Sequence, residues 1–224
     1  MSVVNDTIDW FSDSSHWSGD DGVPHRLVQH LGYTGLTVAI AAVIAIPIGL
    51  WIGHTGRLRG LAVVSSGMLR ALPTLGVLTY ASLFTGIGIK AAIFTLVLLA
   101  IPPLLAGAYA GLESVDRQTI DAARAIGMTE WQILGKVEVP LALPLIVGGF
   151  RSATLQVVAT ATVAAFIPGP GGLGRYLIDG LALSDYPRVV AGSVVVIVLA
   201  LVLDALFVLT QRALLSSQPS PVRT

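Results

Sequence analysis

The sequence predicts an all-α membrane protein, a polytopic bundle of five transmembrane helices, and three observations carry that prediction. Of 224 residues, 54% are hydrophobic and 12% charged, whereas soluble domains carry about 25% charged residues. Five segments are apolar over the length needed to cross a hydrocarbon core of roughly 30 Å, about 20 residues of helix. One long polar interruption, residues 113–138, divides them. A mean hydropathy of +0.81 agrees.

Charge and cysteine content narrow the function classes. Thirteen basic and thirteen acidic residues leave no net charge, so neither a nucleic-acid partner nor a charged tether is indicated. The absence of cysteine removes disulfides, thiol nucleophiles and cysteine-ligated metals. His16, His25, His30 and His54 are too scattered for a local metal motif, and neither a metal site nor a catalytic residue is expected.

Residues 1–26 are expected to form an N-terminal segment outside the membrane. Asp6, Asp9, Asp13, Asp20 and Asp21 stand where a signal peptide needs basic residues, so the segment reads as retained. Its Trp10, Phe11 and Trp17 suit either an interfacial anchor or a disordered tail.

The membrane domain follows over residues 27–212. Its spans cover residues 31–53, 61–84, 89–112, 139–167 and 189–209, the second interrupted by Arg70 and Pro73. Pro47, Pro73, Pro102 and Pro144 are read as kinks, because neighbouring helices can satisfy the backbone groups that proline frees. Abundant glycine is read as close helix packing. Arg57, Arg59, Arg117, Arg124, Lys136, Arg212 and Arg223 fall on one side of the bilayer; Arg26, Lys90, Arg175 and Arg188 fall on the other. The richer side is cytoplasmic by the positive-inside rule. The N-terminus is then outside, and the polar tail 213–224 is cytoplasmic and disordered. The localisation expected is the plasma (inner) membrane.

The glycine-rich run at residues 168–174 has no strand before it and is not a dinucleotide fingerprint. It reads as an outer turn leading to a short re-entrant or surface helix near residues 173–183. If that helix dips deeply, the span count becomes six.

Within the loop at about 113–140, Asp121, Ala122 and Ala123 begin a helical stretch that Gly127 ends. Thr129 and Gln132 then form a capping-box signature for a second short helix through Leu134. Ala122, Ala123, Ile126, Ile133 and Leu134 supply apolar faces; Asp121, Arg124, Glu130 and Lys136 supply charges. The pattern suits two placements, a hairpin docked in the groove of a soluble partner or one resting on the bilayer surface.

Here the sequence resembles a known family. Asp121-Ala122-Ala123, three residues, Gly127, nine residues, then Val137-Glu138-Val139-Pro140 is similar to the EAA loop of binding-protein-dependent ABC importer permeases. The runs RALPTLGVL at 70–78, DAARAIGMTEWQILGKVEVPLALPLIVGGFRSA from Asp121 and ATVAAFIPGPGGLGRYLIDGLALSDYPRVVAG from Ala161 resemble permeases for glycine betaine, carnitine, choline and related osmoprotectants. The resemblance covers about residues 30–210. Its departure is Pro168-Gly169-Pro170-Gly171-Gly172-Leu173-Gly174, where the family has a shorter turn.

The resemblance implies a type I ABC importer permease fold and no enzymatic activity in this chain. The implied partners are a cytoplasmic ATPase subunit, a periplasmic or extracellular substrate-binding protein and a second permease copy or homologous subunit. ATP and Mg would bind the ATPase, consistent with the lack of a P-loop motif here, so this chain needs no cofactor. Asp121, Ala122, Ala123 and Gly127 would seat in the ATPase, with Val137 and Pro140 setting the return to the membrane. The alternatives are the same architecture importing another small solute such as methionine, or an ion-coupled secondary transporter.

Two further sets of residues are singled out. Tyr80, Thr154, Gln156, Thr160 and Thr162 offer the aromatic face and hydroxyls that a quaternary ammonium pathway would use, or bonds between helices. Arg70, Arg151 and Asp204 each lie about ten residues from a cytoplasmic end, roughly 15 Å deep. Charges at that depth need a partner or water, so Asp204 is expected to pair with one arginine, snorkelling of the arginines being the alternative.

Overall fold

The structure is a computed structural model that describes residues 3–169 and 171–216, the side chains of Ser65 and Arg70 excepted. The tail beyond residue 216, Pro170 of the glycine-rich turn and any pairing by Arg70 therefore lie outside the described residues. Among these, the regular elements are α1 (Val3–Ser12), a 3-10 turn (Ser14–Trp17), α2 (Val23–Thr55), α3 (Arg59–Ala71) and α4 (Thr74–Thr85). Next come α5 (Ile89–Glu113), α6 (Arg117–Ala125), α7 (Glu130–Ile133), a π-helical turn (Leu134–Glu138), α8 (Val139–Ala164), α9 (Gly174–Leu183) and α10 (Tyr186–Ser216).

Among the described residues, four helices are long and apolar enough to cross a bilayer: α2, α5, α10 and the continuous run Glu130–Ala164. A fifth span is counted only if α3 and α4, two helices separated at Pro73, are taken together. Pro73 therefore ends a helix instead of kinking it. Its backbone is extended, φ −70° and ψ 119°, and proline also drives the residue before it out of the α region. Among the described side chains of α3, Ala62 alone is buried. Pro47, Pro102, Pro103 and Pro144 remain inside continuous helices.

A second departure concerns the hairpin, whose second helix does not stop at Leu134 but continues through the π turn into α8. Pro140 has no N–H, and in an α-helix its ring would strike the carbonyl of Lys136. One wider turn, with the Val139 N–H bonded to Leu134 O, lets the helix continue past the proline.

The described residues fall into two compact units. The first draws on 1–39, 72–100 and 154–202. Leu78, Leu96, Val157, Val158 and Leu173 are fully buried in it. α1 is ordered against its neighbours: Trp10 is buried, stacked on His16 at 4.1 Å and edge-on to Tyr176 at 5.5 Å. The start of α2 holds the glycine-rich turn, with Gly172 N donating to Gln29 Oε1 at 2.9 Å. α9 occupies the stretch where the sequence predicts a short helix.

The second unit draws on 40–71, 101–153 and 203–224. Glycine lets helices approach closely here: a methyl group added at Gly107 of α5 would lie 2.6 Å from the Gly149 Cα of α8. Leu112, Ala142 and Ile146 form a buried cluster joined by Ile46, Leu50 and Leu134. This unit carries the hairpin.

Candidate functional site

The hairpin is built by local rules at each bend. Asp116 caps α6, its side chain accepting from Gln118 N at 2.9 Å, which satisfies one of the free N–H groups at a helix start. At the other end Gly127 has φ +84°. Gly127 N donates to Arg124 O at 3.0 Å and Met128 N to Ala123 O at 3.1 Å. That pair of bonds is a Schellman cap, which needs a left-handed residue where Gly127 sits. Thr129 then opens α7 with a complete capping box: Gln132 N donates to Thr129 Oγ1 at 3.4 Å and Thr129 N to Gln132 Oε1 at 2.9 Å.

The two short helices share a small core of their own. Val115, Ile120, Ala123 and Ile133 are buried together, with Met128 and Val137 packed against them. Charge closes the outer side. The Arg124 guanidinium meets Glu130 at 2.8 and 3.1 Å and Asp121 at 3.4 Å. The hydrogen bond to Glu130 raises the arginine pKa further above its usual value, so Arg124 stays cationic.

The residues singled out on the hairpin divide between these faces. Ala123 is inside, Val137 is half-buried, and Asp121, Ala122, Gly127 and Pro140 are exposed. Ile126 and Trp131 are 80% and 83% exposed, apolar surface at the end of the first short helix and on the second. Trp131 stood in the quoted run as a large aromatic in a polar loop, a signal that the motif spacing does not use.

His54 and Glu138 are the residues that sequence reasoning missed. Glu138 is buried, and its Oε2 lies 2.5 Å from His54 Nδ1; His54 Nε2 lies 3.3 Å from Glu130 Oε2. A separation of 84 residues left no local pattern to find. Nearby, Arg59 Nε lies 3.2 Å from Glu113 Oε1, joining the start of α3 to the end of α5.

Among the deeper charges, Arg151 and Asp204 meet through two bonds, Nε to Oδ1 at 2.6 Å and Nη2 to Oδ2 at 3.0 Å. Arg70 is outside the described side chains. Of the pathway candidates, Tyr80 is 65% exposed on α4 and tilts against Phe84 at 4.9 Å. The others lie on α8: Thr154 is buried, and Gln156, Thr160 and Thr162 are half-buried. The Thr160 hydroxyl donates to Gln156 O and that of Thr162 to Ala159 O, which uses the single donor of each within its own helix and leaves its oxygen able to accept.

The chain matches the family model described as "Binding-protein-dependent transport system inner membrane component" over residues 45–216. It is 32% identical to a glycine betaine/carnitine/choline transport system permease protein of Bacillus subtilis (strain 168), over 84% of this chain and 86% of that protein. It is 30% identical to a carnitine transport permease protein of Listeria monocytogenes serotype 1/2a (strain 10403S), over 96% and 94%. An osmoprotectant import permease protein of Salmonella typhimurium is 33% identical over 79% and 84%. Among solved structures, an inward-facing MetNI methionine ABC transporter superposes with TM-score 0.74 at 22% identity, over 86% of this chain and 95% of that one. At that identity the likeness speaks for the fold.

Proposed function

The chain belongs to the binding-protein-dependent transport system inner membrane components, and from that premise we propose that its cargo is glycine betaine, carnitine, choline or a related quaternary-amine osmoprotectant. It is an ABC importer permease of type I fold, a transport subunit and not an enzyme. The observation that carries the cargo is likeness at 30–33% identity, over four-fifths or more of their lengths, to relatives named for those solutes or for osmoprotectants.

The hairpin is the coupling element. Asp121, Ala122, Ile126, Gly127 and Trp131 form an outward face on a stapled support, suited to a groove in a cytoplasmic ATPase, with Val137 and Pro140 setting the return to α8. Short helices presenting apolar anchors are a mode of groove recognition. ATP and Mg bind that ATPase, an extracellular binding protein delivers the solute, and a second permease subunit completes the pathway. The hairpin and C-terminus are cytoplasmic and the N-terminus is outside, a reading supported by the basic-residue bias. Tyr80 and the α8 hydroxyl and amide groups of Thr154, Gln156, Thr160 and Thr162 border the solute path. Arg151 and Asp204 neutralise each other within the membrane domain, where an unpaired charge is costly.

The test is uptake by proteoliposomes holding this permease, its ATPase and its binding protein. Labelled glycine betaine, carnitine or choline should enter only with ATP and regardless of membrane potential. Uptake of methionine instead would overturn the cargo assignment. Uptake driven by potential without ATP would overturn the mechanism.

A further inference from the structure

A line of polar side chains runs from the hairpin to the end of α2: Asp121, Arg124, Glu130, His54 and Glu138, each neighbouring pair within 3.4 Å. Arg124 belongs to α6, Glu130 to α7, Glu138 to the π turn and His54 to the last turn of α2. The imidazole thus faces a carboxylate with each ring nitrogen, one from each side of Ile133. A histidine ring is rigid and offers two opposed polar atoms, so it fixes the hairpin's second helix in direction as well as position.

The surroundings make this link stand out. A cavity of about 510 Å³ lies between α2, at Pro47, Trp51 and Thr55, and the hairpin side at Glu130, Trp131 and Leu134. Leu50 of α2 and Leu134 of the hairpin meet in the buried cluster around Ile146, and the imidazole–carboxylate contacts add the polar link across the cavity. Glu138 is 4% exposed and His54 15%, which shields their contact from water and strengthens it.

We propose that His54 is a positioning residue that ties the hairpin to the end of α2, so that the two move as one body when the ATPase displaces the hairpin. The proposal rests on the coupling role given to the hairpin above. Displacement then reaches the first span directly as well as through the chain connections to α5 and α8. His54 neither meets the solute nor forms part of the exposed docking face.

The cysteine-free chain allows spin labels at Thr55→Cys and Lys136→Cys in the reconstituted complex. In the wild type the label separation should be the same without nucleotide and with ATP plus vanadate. In His54→Ala the separation should shift with nucleotide, and uptake per ATP hydrolysed should fall roughly fivefold or more. ATPase co-purification and basal hydrolysis should hold. His54→Gln, whose amide can still donate to a carboxylate, should restore most of the coupling.

Should His54→Ala fail to assemble, His54→Leu combined with Glu138→Gln removes both imidazole contacts without stranding a buried carboxylate, leaves the Arg124–Glu130 bridge in place, and carries the same expectation. Wild-type uptake per ATP in these variants, lost coupling with an unchanged label separation, or loss of the ATPase from an inserted His54→Ala permease would each overturn the tether. A wild-type complex that imports a different solute would overturn the cargo and leave the tether standing.

Discussion

Replacing Gly127 tests whether the bend at the hairpin tip is what presents its docking face. A Cβ added there meets nothing within 4 Å, so crowding costs nothing and the whole penalty is conformational. At φ +84° an alanine costs about 1–2 kcal/mol, a valine more, and an asparagine less because it tolerates the left-handed region. The cap bond from Met128 N to Ala123 O reports the loss directly. If the tip opens locally, its amide should exchange about 5 to 30 times faster in Gly127→Ala, faster still in Gly127→Val and least changed in Gly127→Asn.

Uptake per ATP in the reconstituted complex should fall in the same order, with membrane insertion unaffected. Equal protection of the Met128 amide in the valine and asparagine variants would refute the reasoning, since backbone angle could not then be the controlling variable. So would a valine variant that couples as well as wild type while its tip is open.

Trp131→Ala should leave the permease inserted and folded but weaken ATPase binding roughly 30-fold, the scale of a buried aromatic anchor, measured by titration in detergent. Asp204→Asn should destabilise the permease, and a double-mutant cycle with Arg151→Gln should return a favourable, non-zero coupling. A cycle that returns zero would mean the charges are held independently. Gly107→Ala should lower thermal stability by about 1–3 kcal/mol, because its methyl group has no room beside Gly149; Gly127→Ala serves as the open-space control.

Much of the hairpin was legible because its signals are local. Its caps, its glycine and its spacing lie within one turn or two of the residues they act on, and the Thr129–Gln132 box formed as the sequence predicts, although the first helix starts at Arg117 behind the Asp116 cap and not at Asp121. Two boundaries were not legible. Pro73 breaks its helix where Pro47, Pro102 and Pro144 do not, and no local pattern records the difference. The run from Glu130 into α8 stays continuous because one π turn absorbs Pro140, an option that propensity rules do not weigh. His54 and Glu138 were invisible for a third reason: the sequence gives each residue an unremarkable neighbourhood, and only folding brings them to 2.5 Å.

A hairpin that transmits force must be stiff, and α6 and α7, at nine and four residues, are too short to be stable alone. Stiffness has to come from elsewhere, and three features supply it. The cluster around Ile133 gives the pair a core, the Arg124 bridge to Glu130 fastens its outer side, and the unbroken helix from Glu130 to Ala164 makes α7 the end of a span. The last feature matters most for mechanism: a separate helix after Leu134 would swing on a joint, whereas a continuous one turns displacement of the tip into displacement of α8. On the proposed coupling role, the exposed Ala122, Ile126 and Trp131 are the residues to set which partner binds, and the buried face and the π turn those to set how far its motion travels.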